Sequence, residues 1–165
     1  MALESKYKQI LGLIGWLVIC FSASAVGAAA SIQAKTFYGH LEQPAWSPPS
    51  WLFGPVWTVL FAMMAIAAWL VWRSGGFRAN RIALSLFLGQ LVLNALWSWL
   101  FFVGHLGASA LMDIVLLMLL ITASLVLFWR VRPLAGALLI PYLLWVSFAA
   151  VLNFSLWQLN PQVLG

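Results

Sequence analysis

Charge is what this chain has least of: 8 Lys and Arg and 3 Asp and Glu among 165 residues, 7% in all. Soluble domains carry about 25% charged residues, and a surface built from this composition has no means of meeting water. Hydrophobic residues reach 65% and mean hydropathy is +1.03, so the chain reads as an integral membrane protein. Cysteine is nearly absent. Cys20 stands alone inside the first apolar run, which excludes an intrachain disulfide or a cysteine-based zinc site and leaves a packing role. Histidine is limited to His40 and His105, with no i, i+4 pair and no accompanying acid and cysteine, so no metal centre is expected. There is no Ser/His/Asp constellation and no glycine-rich phosphate loop, which leaves hydrolytic and nucleotide chemistry without support. The net charge of +5 comes from Lys and Arg at the ends of apolar runs, not from a patch in polar surroundings. It reports topology rather than nucleic-acid binding.

Long apolar runs are what the chain has in their place. Five of them, at residues 9–34, 50–73, 82–104, 107–129 and 133–157, have the roughly 20 residues a helix needs to cross a bilayer. Strand-length alternation is absent, and open extended strands would leave backbone groups unsatisfied in lipid. The fold expected is all-α: a five-transmembrane-helix bundle forming a single membrane domain over residues 1–165. Short links at Arg73–Arg78, Val103–Gly107 and Arg130–Pro133 predict that consecutive helices are antiparallel neighbours. Five spans place Lys6, Lys8, Arg73, Arg78, Arg81, Arg130 and Arg132 on one side and Lys35 alone on the other. The positive-inside rule then predicts a cytoplasmic N-terminus in a bacterial cell membrane. A competing reading takes Lys6, Lys8 and the run Ile10–Phe21 as a signal peptide with its small-residue site at Ala28–Ala30 or Ala34. The run continues beyond a typical h-region, however, and Ala23, Gly27 and Ser31, spaced by four, suit close packing of a retained helix.

Two features point to function. The link at residues 35–49 and the start of the second span crowd together Trp46, Trp51, Trp57, Pro44, Pro48, Pro49 and Pro55, where connectors are ordinarily short and polar. An apolar or aromatic partner is expected for this loop. The second feature is a set of stripes at helical spacing: Trp57, Leu60 and Met64 in the second helix, Asn94, Trp97 and Phe101 in the third, and Tyr142, Trp145, Ala149 and Asn153 in the fifth. Asparagine is costly in lipid unless paired, so Asn94 and Asn153 are expected to face inward and carry Trp97 and Trp145 with them. Indole faces around a cavity suit a flat conjugated ligand by offset stacking, whereas Trp16, Trp72 and Trp129 fit interfacial belts and packing. Asp113 is the only acid inside a span, which makes it a candidate functional group or a carboxyl hydrogen-bonded to a neighbouring helix. No second intramembrane charge accompanies it, which argues against an ion-coupled pump. Pro55 and Pro141 are each predicted to remove a helical hydrogen bond and permit a kink that makes room for a ligand.

The ordered set Phe37-Tyr38, Leu41, Pro44, Trp46, Pro48-Pro49, Trp51, Gly54-Pro55-Val56-Trp57, Gly89-Gln90-Leu91, Leu93-Asn94, Trp97, Phe101-Phe102, Asp113, Ile140-Pro141-Tyr142-Leu143, Trp145, Phe148-Ala149 and Leu152-Asn153 resembles the TspO/MBR family of translocator and tryptophan-rich sensory proteins across all five spans. The resemblance implies a bundle that is commonly a homodimer, with a cavity opening toward the first link, which acts as a lid. It implies no required cofactor and a planar lipophilic ligand: a porphyrin such as protoporphyrin IX, haem or another tetrapyrrole, with isoquinoline carboxamides, benzodiazepines and, for some members, sterols as further possibilities. Tyr38, Trp57, Asn94, Trp97, Tyr142 and Trp145 are expected to line or close the pocket, with Trp46, Phe101, Ala149 and Asn153 completing the candidate ligand-binding set. Trp57 and Trp145 also match tryptophans implicated in light-dependent porphyrin degradation by bacterial relatives, so they are the catalytic candidates if the chain is an enzyme. Binding with a part in tetrapyrrole or stress regulation is the leading expectation, with photo-oxidative degradation and transport as alternatives. A helix-packing pair, Ser85 and Gly89, fits close helix crossing between or within subunits. Two positions depart from the animal relatives: Phe154 and Gln158 stand where the sterol-recognition segment has Tyr and a basic residue, and Ser109 stands where those relatives have a drug-contacting Trp.

Overall fold

The computed structural model describes the backbone of residues 2–165, with side chains described from Lys6 onward. Its elements are α1 (Ala2–Ala30), α2 (Ala34–His40), α3 (Phe53–Trp72), α4 (Gly76–Ala79), α5 (Arg81–Ser98), α6 (Gly107–Val131), α7 (Pro133–Leu159) and α8 (Pro161–Leu164). No strand occurs among the described residues, and α1, α3, α5, α6 and α7, with their short extensions, are long and apolar enough to cross a membrane. Large apolar side chains such as Ile14, Val59, Val92, Leu119 and Leu144 are exposed around the outside. In water that surface would be a liability; in lipid it is the solvated face.

The five long helices close into a ring in the order α1, α3, α7, α6, α5. This corrects one expectation, because α3 and α5 follow each other in sequence but meet only marginally, with α1 packed against both. The reason lies in the second link, which is more than a turn. Gly75 (φ 135°) and Gly76 (φ 76°) take left-handed conformations open to glycine, α4 adds a turn of helix, and Asn80 Nδ2 donates to the carbonyls of Val71 (3.1 Å) and Gly76 (3.3 Å). The connection is thereby long enough to pass α1.

The ring is filled solidly at its arginine-bearing end. Met64, Leu84, Phe87, Ile121, Phe128 and Leu139 are all essentially inaccessible, and the rings of Phe87 and Phe128 stack at 5.4 Å. At the turn between α6 and α7 the backbones come so close that a Cβ on Gly136 would lie 2.8 Å from the Trp129 side chain and 2.9 Å from its Cα. Because one of those neighbours is backbone, the strain has no cheap outlet. Gly136→Ala is expected to destabilise the bundle by about 1–3 kcal/mol, seen as a lowered Tm in detergent; an unchanged Tm would show that this turn yields freely.

One span boundary and the role of one proline differ from the sequence reading. The first helix stops at Ala30 rather than residue 34, where Ser31–Gln33 form a turn and Ser31 Oγ donates to the Gly27 carbonyl at 3.0 Å, so the first link contains a helix of its own. Pro55 lies in the first turn of α3, where no backbone N–H has an intrahelical acceptor to lose; it starts the helix instead of kinking it. Pro141 does lie inside α7, beside the buried Tyr142.

Candidate functional site: an aromatic cavity

Toward the other end the ring opens into a cavity of about 410 Å³, within the roughly 300–1,000 Å³ of small-molecule pockets. On one side α1 and the turn after it contribute only small side chains, Ser24, Gly27 and Ala28 from the helix and Ser31 from the turn, so space is left where larger residues would have met. The opposite walls carry Trp57 and Phe61 from α3, Asn94 and Trp97 from α5, and Trp145, Ala149 and Asn153 from α7. Tyr38 and Lys35 of α2 form part of its boundary at the loop end.

Beyond Ser98 the third span loosens into a π-turn over Trp99–Val103, in which the Gly104 N–H reaches back to the Trp99 carbonyl at 2.8 Å. Consecutive residues of an α-helix point about 100° apart. The wider turn lets both Phe101 and Phe102 border the cavity, with their rings 5.2 Å apart at 84°. π-turns of this kind are frequent at functional sites, and nothing in the sequence announced this one.

The asparagines are paired inside the chain. Trp97 Nε1 donates to Asn153 Oδ1 at 2.9 Å, and Asn153 Nδ2 donates to the Gly107 carbonyl at 3.1 Å, tying α5, α6 and α7 together. Asn94 Nδ2 donates to the Tyr142 hydroxyl at 2.9 Å, which donates to Gln90 Oε1 at 2.6 Å, and Gln90 Nε2 reaches Met64 Sδ at 3.8 Å. The sulfur can only accept, which fixes the direction of the whole chain. Asn94 Oδ1 is left as the acceptor that this network does not use.

The indoles differ in how much of their faces is already covered. Trp97 stacks on Phe101 (5.3 Å, 14°). Trp57 meets Tyr142 at 70° and Phe61 at 38°, and Trp145 meets Phe53 at 69° and Phe148 at 37°. Among the described residues neither Trp57 nor Trp145 has a face-to-face partner, and neither stacks on the other. Trp145 Nε1 is buried with no acceptor among the described residues, a loss of about 1–3 kcal/mol that a well-packed core ordinarily avoids.

The first link lies against this end of the bundle through aromatic contacts. Phe37 stacks on His105 (4.4 Å, 4°), Tyr38 meets Phe53 edge-on at 5.6 Å, and Trp46 meets Phe148 at 5.8 Å. The Tyr38 hydroxyl donates to the Pro48 carbonyl at 3.1 Å, folding the link back on itself. Burial raises that phenol above its ordinary pKa, so it remains a donor.

Of the residues singled out from the sequence, Tyr38, Trp57, Asn94, Trp97, Phe101, Trp145, Ala149 and Asn153 border the cavity. Tyr142 does not: it is 1% exposed and stands behind the wall, orienting Asn94. Trp46 is also outside, 48% exposed with its ring on Phe148, and Leu60 and Met64 belong to the packed core. Asp113 is buried beside the wall residue Ile114 without bordering the cavity, and its Oδ2 has no partner among the described residues. Gly89 faces Leu120 of α6, within the subunit. Phe53 and Phe61 were missed, since no polar neighbour distinguished them from ordinary core phenylalanines.

Fold and cavity together define a class: small all-helical membrane proteins with an aromatic cavity at one end of a five-helix ring, bordered by a proline- and tryptophan-rich link. The chain belongs to the TspO/MBR family, whose model matches residues 15–158. It is 43% identical over 157 residues to the tryptophan-rich protein TspO of Chlorobaculum tepidum, covering 93% of this chain and 99% of that one. It is 41% identical to the protein CrtK of Rhodobacter capsulatus, covering 88% and 91%. With the human translocator protein it shares 40% identity over 126 residues, 75% of each chain.

Proposed function

We propose that this protein binds porphyrin-type tetrapyrroles in the aromatic cavity, with the first link as its lid, in the service of tetrapyrrole or stress regulation. The observation that carries the reading is the pair of indoles, Trp57 and Trp145, which border one cavity and have no stacked partner of their own. A planar conjugated guest supplies the missing faces. Asn94 Oδ1 offers an acceptor to a pyrrole N–H. Lys35, the one cation at this end of the bundle among the described residues, borders the cavity where an acidic ring substituent would emerge. The lopsided distribution of Lys and Arg supports a cytoplasmic N-terminus, with the lid on the far side of a bacterial cell membrane.

The test is titration of protoporphyrin IX in detergent, followed by its own absorbance. Saturable binding is expected, and Ala149→Phe, which places a ring inside the cavity, should weaken it at least about tenfold with the Tm retained. Unchanged affinity in that variant would remove the cavity from the account. Illumination of the same complex separates binding from breakdown. Porphyrin loss that needs light and both Trp57 and Trp145 would make the protein a degrading enzyme, whereas loss at the protein-free rate leaves a binding protein.

A further inference from the structure

Among the described residues, a single side chain hydrogen-bonds the first link to the end of the bundle. Asn160, which ends α7 and precedes Pro161, is 3% exposed. Its Oδ1 accepts the backbone N–H of Glu42 at 2.8 Å, and its Nδ2 donates to the Glu42 carbonyl at 2.9 Å and to the Leu156 carbonyl at 2.9 Å. Its own N–H donates to Leu156 (3.0 Å), and its carbonyl accepts the N–H groups of Val163 (3.1 Å) and Leu164 (2.9 Å). Every donor and acceptor of this residue is engaged. The two bonds to Glu42 clasp one residue of the link from both sides of its backbone, across 118 positions of sequence.

The other ties of the link are of a different kind. Gln43 Nε2 donates to the Tyr38 carbonyl (2.5 Å), Ser47 Oγ to Gln43 Oε1 (2.9 Å) and Tyr38 to Pro48. All three are internal to the link and move with it. Its ring contacts with Phe53, His105 and Phe148 are apolar and weakly directional. Among the described residues no hydrogen bond other than those of Asn160 joins residues 35–47 to the membrane helices. The contact is also sheltered. Leu41 and Leu164 are buried in one cluster with Tyr38, and Trp157 Nε1 donates to the Gly165 carbonyl, holding α8 against the end of α7.

We infer that Asn160 is a latch: it holds the first link closed over the cavity and sets how fast a ligand leaves. It is a positioning residue, acting through the lid and not on the guest. The retention of ligand rests on the porphyrin reading above; the latch itself does not.

Amide hydrogen exchange on the ligand-free protein reads the latch directly. In the unmodified protein the Glu42 amide is expected to be protected although it lies in a surface link. In Asn160→Ala both bonds are gone. In Asn160→Asp, nearly the same size, the acceptor remains but a carboxylate faces two carbonyl oxygens. In each variant exchange at residues 41–43 should quicken at least about tenfold, with α5 unaffected, and protoporphyrin IX should dissociate faster by a similar factor. A Glu42 amide that exchanges as an open-loop amide in the unmodified protein, a comparison needing no variant, overturns the latch. So does unaltered exchange in both variants. Faster exchange with unaltered porphyrin dissociation overturns its control of the ligand. Failure of the unmodified protein to bind porphyrin removes only the porphyrin reading, and the exchange rates still decide whether Asn160 latches the link.

Discussion

Replacing Trp57 and Trp145 together by leucine is expected to weaken protoporphyrin IX binding by at least about 30-fold. Each aromatic pair contributes roughly 0.5–1.5 kcal/mol beyond the area it buries, and the lost ring area adds to that, so two rings amount to about 2–3 kcal/mol. Leucine keeps the cavity apolar, which separates loss of stacking from loss of hydrophobicity. The single variants differ in what else they disturb. Trp57 touches Tyr142, which orients Asn94, whereas Trp145 touches Phe53 and Phe148 on the lid side. Trp57→Leu should therefore lose polar recognition as well as stacking, and Trp145→Leu should also loosen the lid and raise the dissociation rate. Phenylalanine at both positions should recover much of the affinity, because a smaller ring still offers a face. Equal affinity of the leucine double variant and the unmodified protein, measured by porphyrin absorbance at equilibrium, would refute the aromatic cavity.

How much of this was legible in advance follows from which forces act at each level. The five helices were readable because burial in lipid demands long apolar runs with internally satisfied backbones, and that constraint is written residue by residue. The inward direction of Asn94 and Asn153 was readable for the same reason: an amide in hydrocarbon needs a partner. The ring order was not. Short links suggest neighbours, yet Gly75, Gly76 and α4 carry the chain past α1, a result of turn geometry that apolar patterning does not encode. Tyr142 shows a similar limit. Its spacing from Trp145 put it on the cavity stripe, but the stripe spans two depths, and the hydroxyl is drawn to Gln90 and Asn94 behind the wall. Asn160 carried a signal that went unread, an Asn-Pro pair just after a long helix, since such pairs ordinarily mark only a helix stop. Its partner Glu42 is too far away in sequence for any local pattern to connect them.

Asn153→Leu should produce the largest loss of stability of any single change in the cavity wall. Asn153 is 1% exposed and bridges three helices, accepting from Trp97 on α5 and donating to the Gly107 carbonyl on α6. Leucine fills the volume but leaves the indole N–H without its partner and removes a second donor from a carbonyl that, in the first turn of α6, keeps its helical one. An orphaned donor costs about 1–3 kcal/mol in a protein interior and less, about 0.6 to 1.7, when the reference state is still membrane-embedded, and the lost second bond to Gly107 adds a smaller amount, so about 1–3 kcal/mol in total is expected. Relaxation offers little relief at Gly107, where a built Cβ would already lie 2.7 Å from Trp157. Trp97→Phe should cost less, because it removes the donor and leaves only Asn153 Oδ1 unmet, at the edge of a cavity. The two changes together should cost less than their sum by about 1 kcal/mol, the signature of a shared bond. Thermal unfolding of the four proteins in one detergent measures this coupling. Strict additivity would mean that the indole and the amide stand at hydrogen-bonding distance without stabilising one another, and Trp97 would then be free to turn away from the cavity.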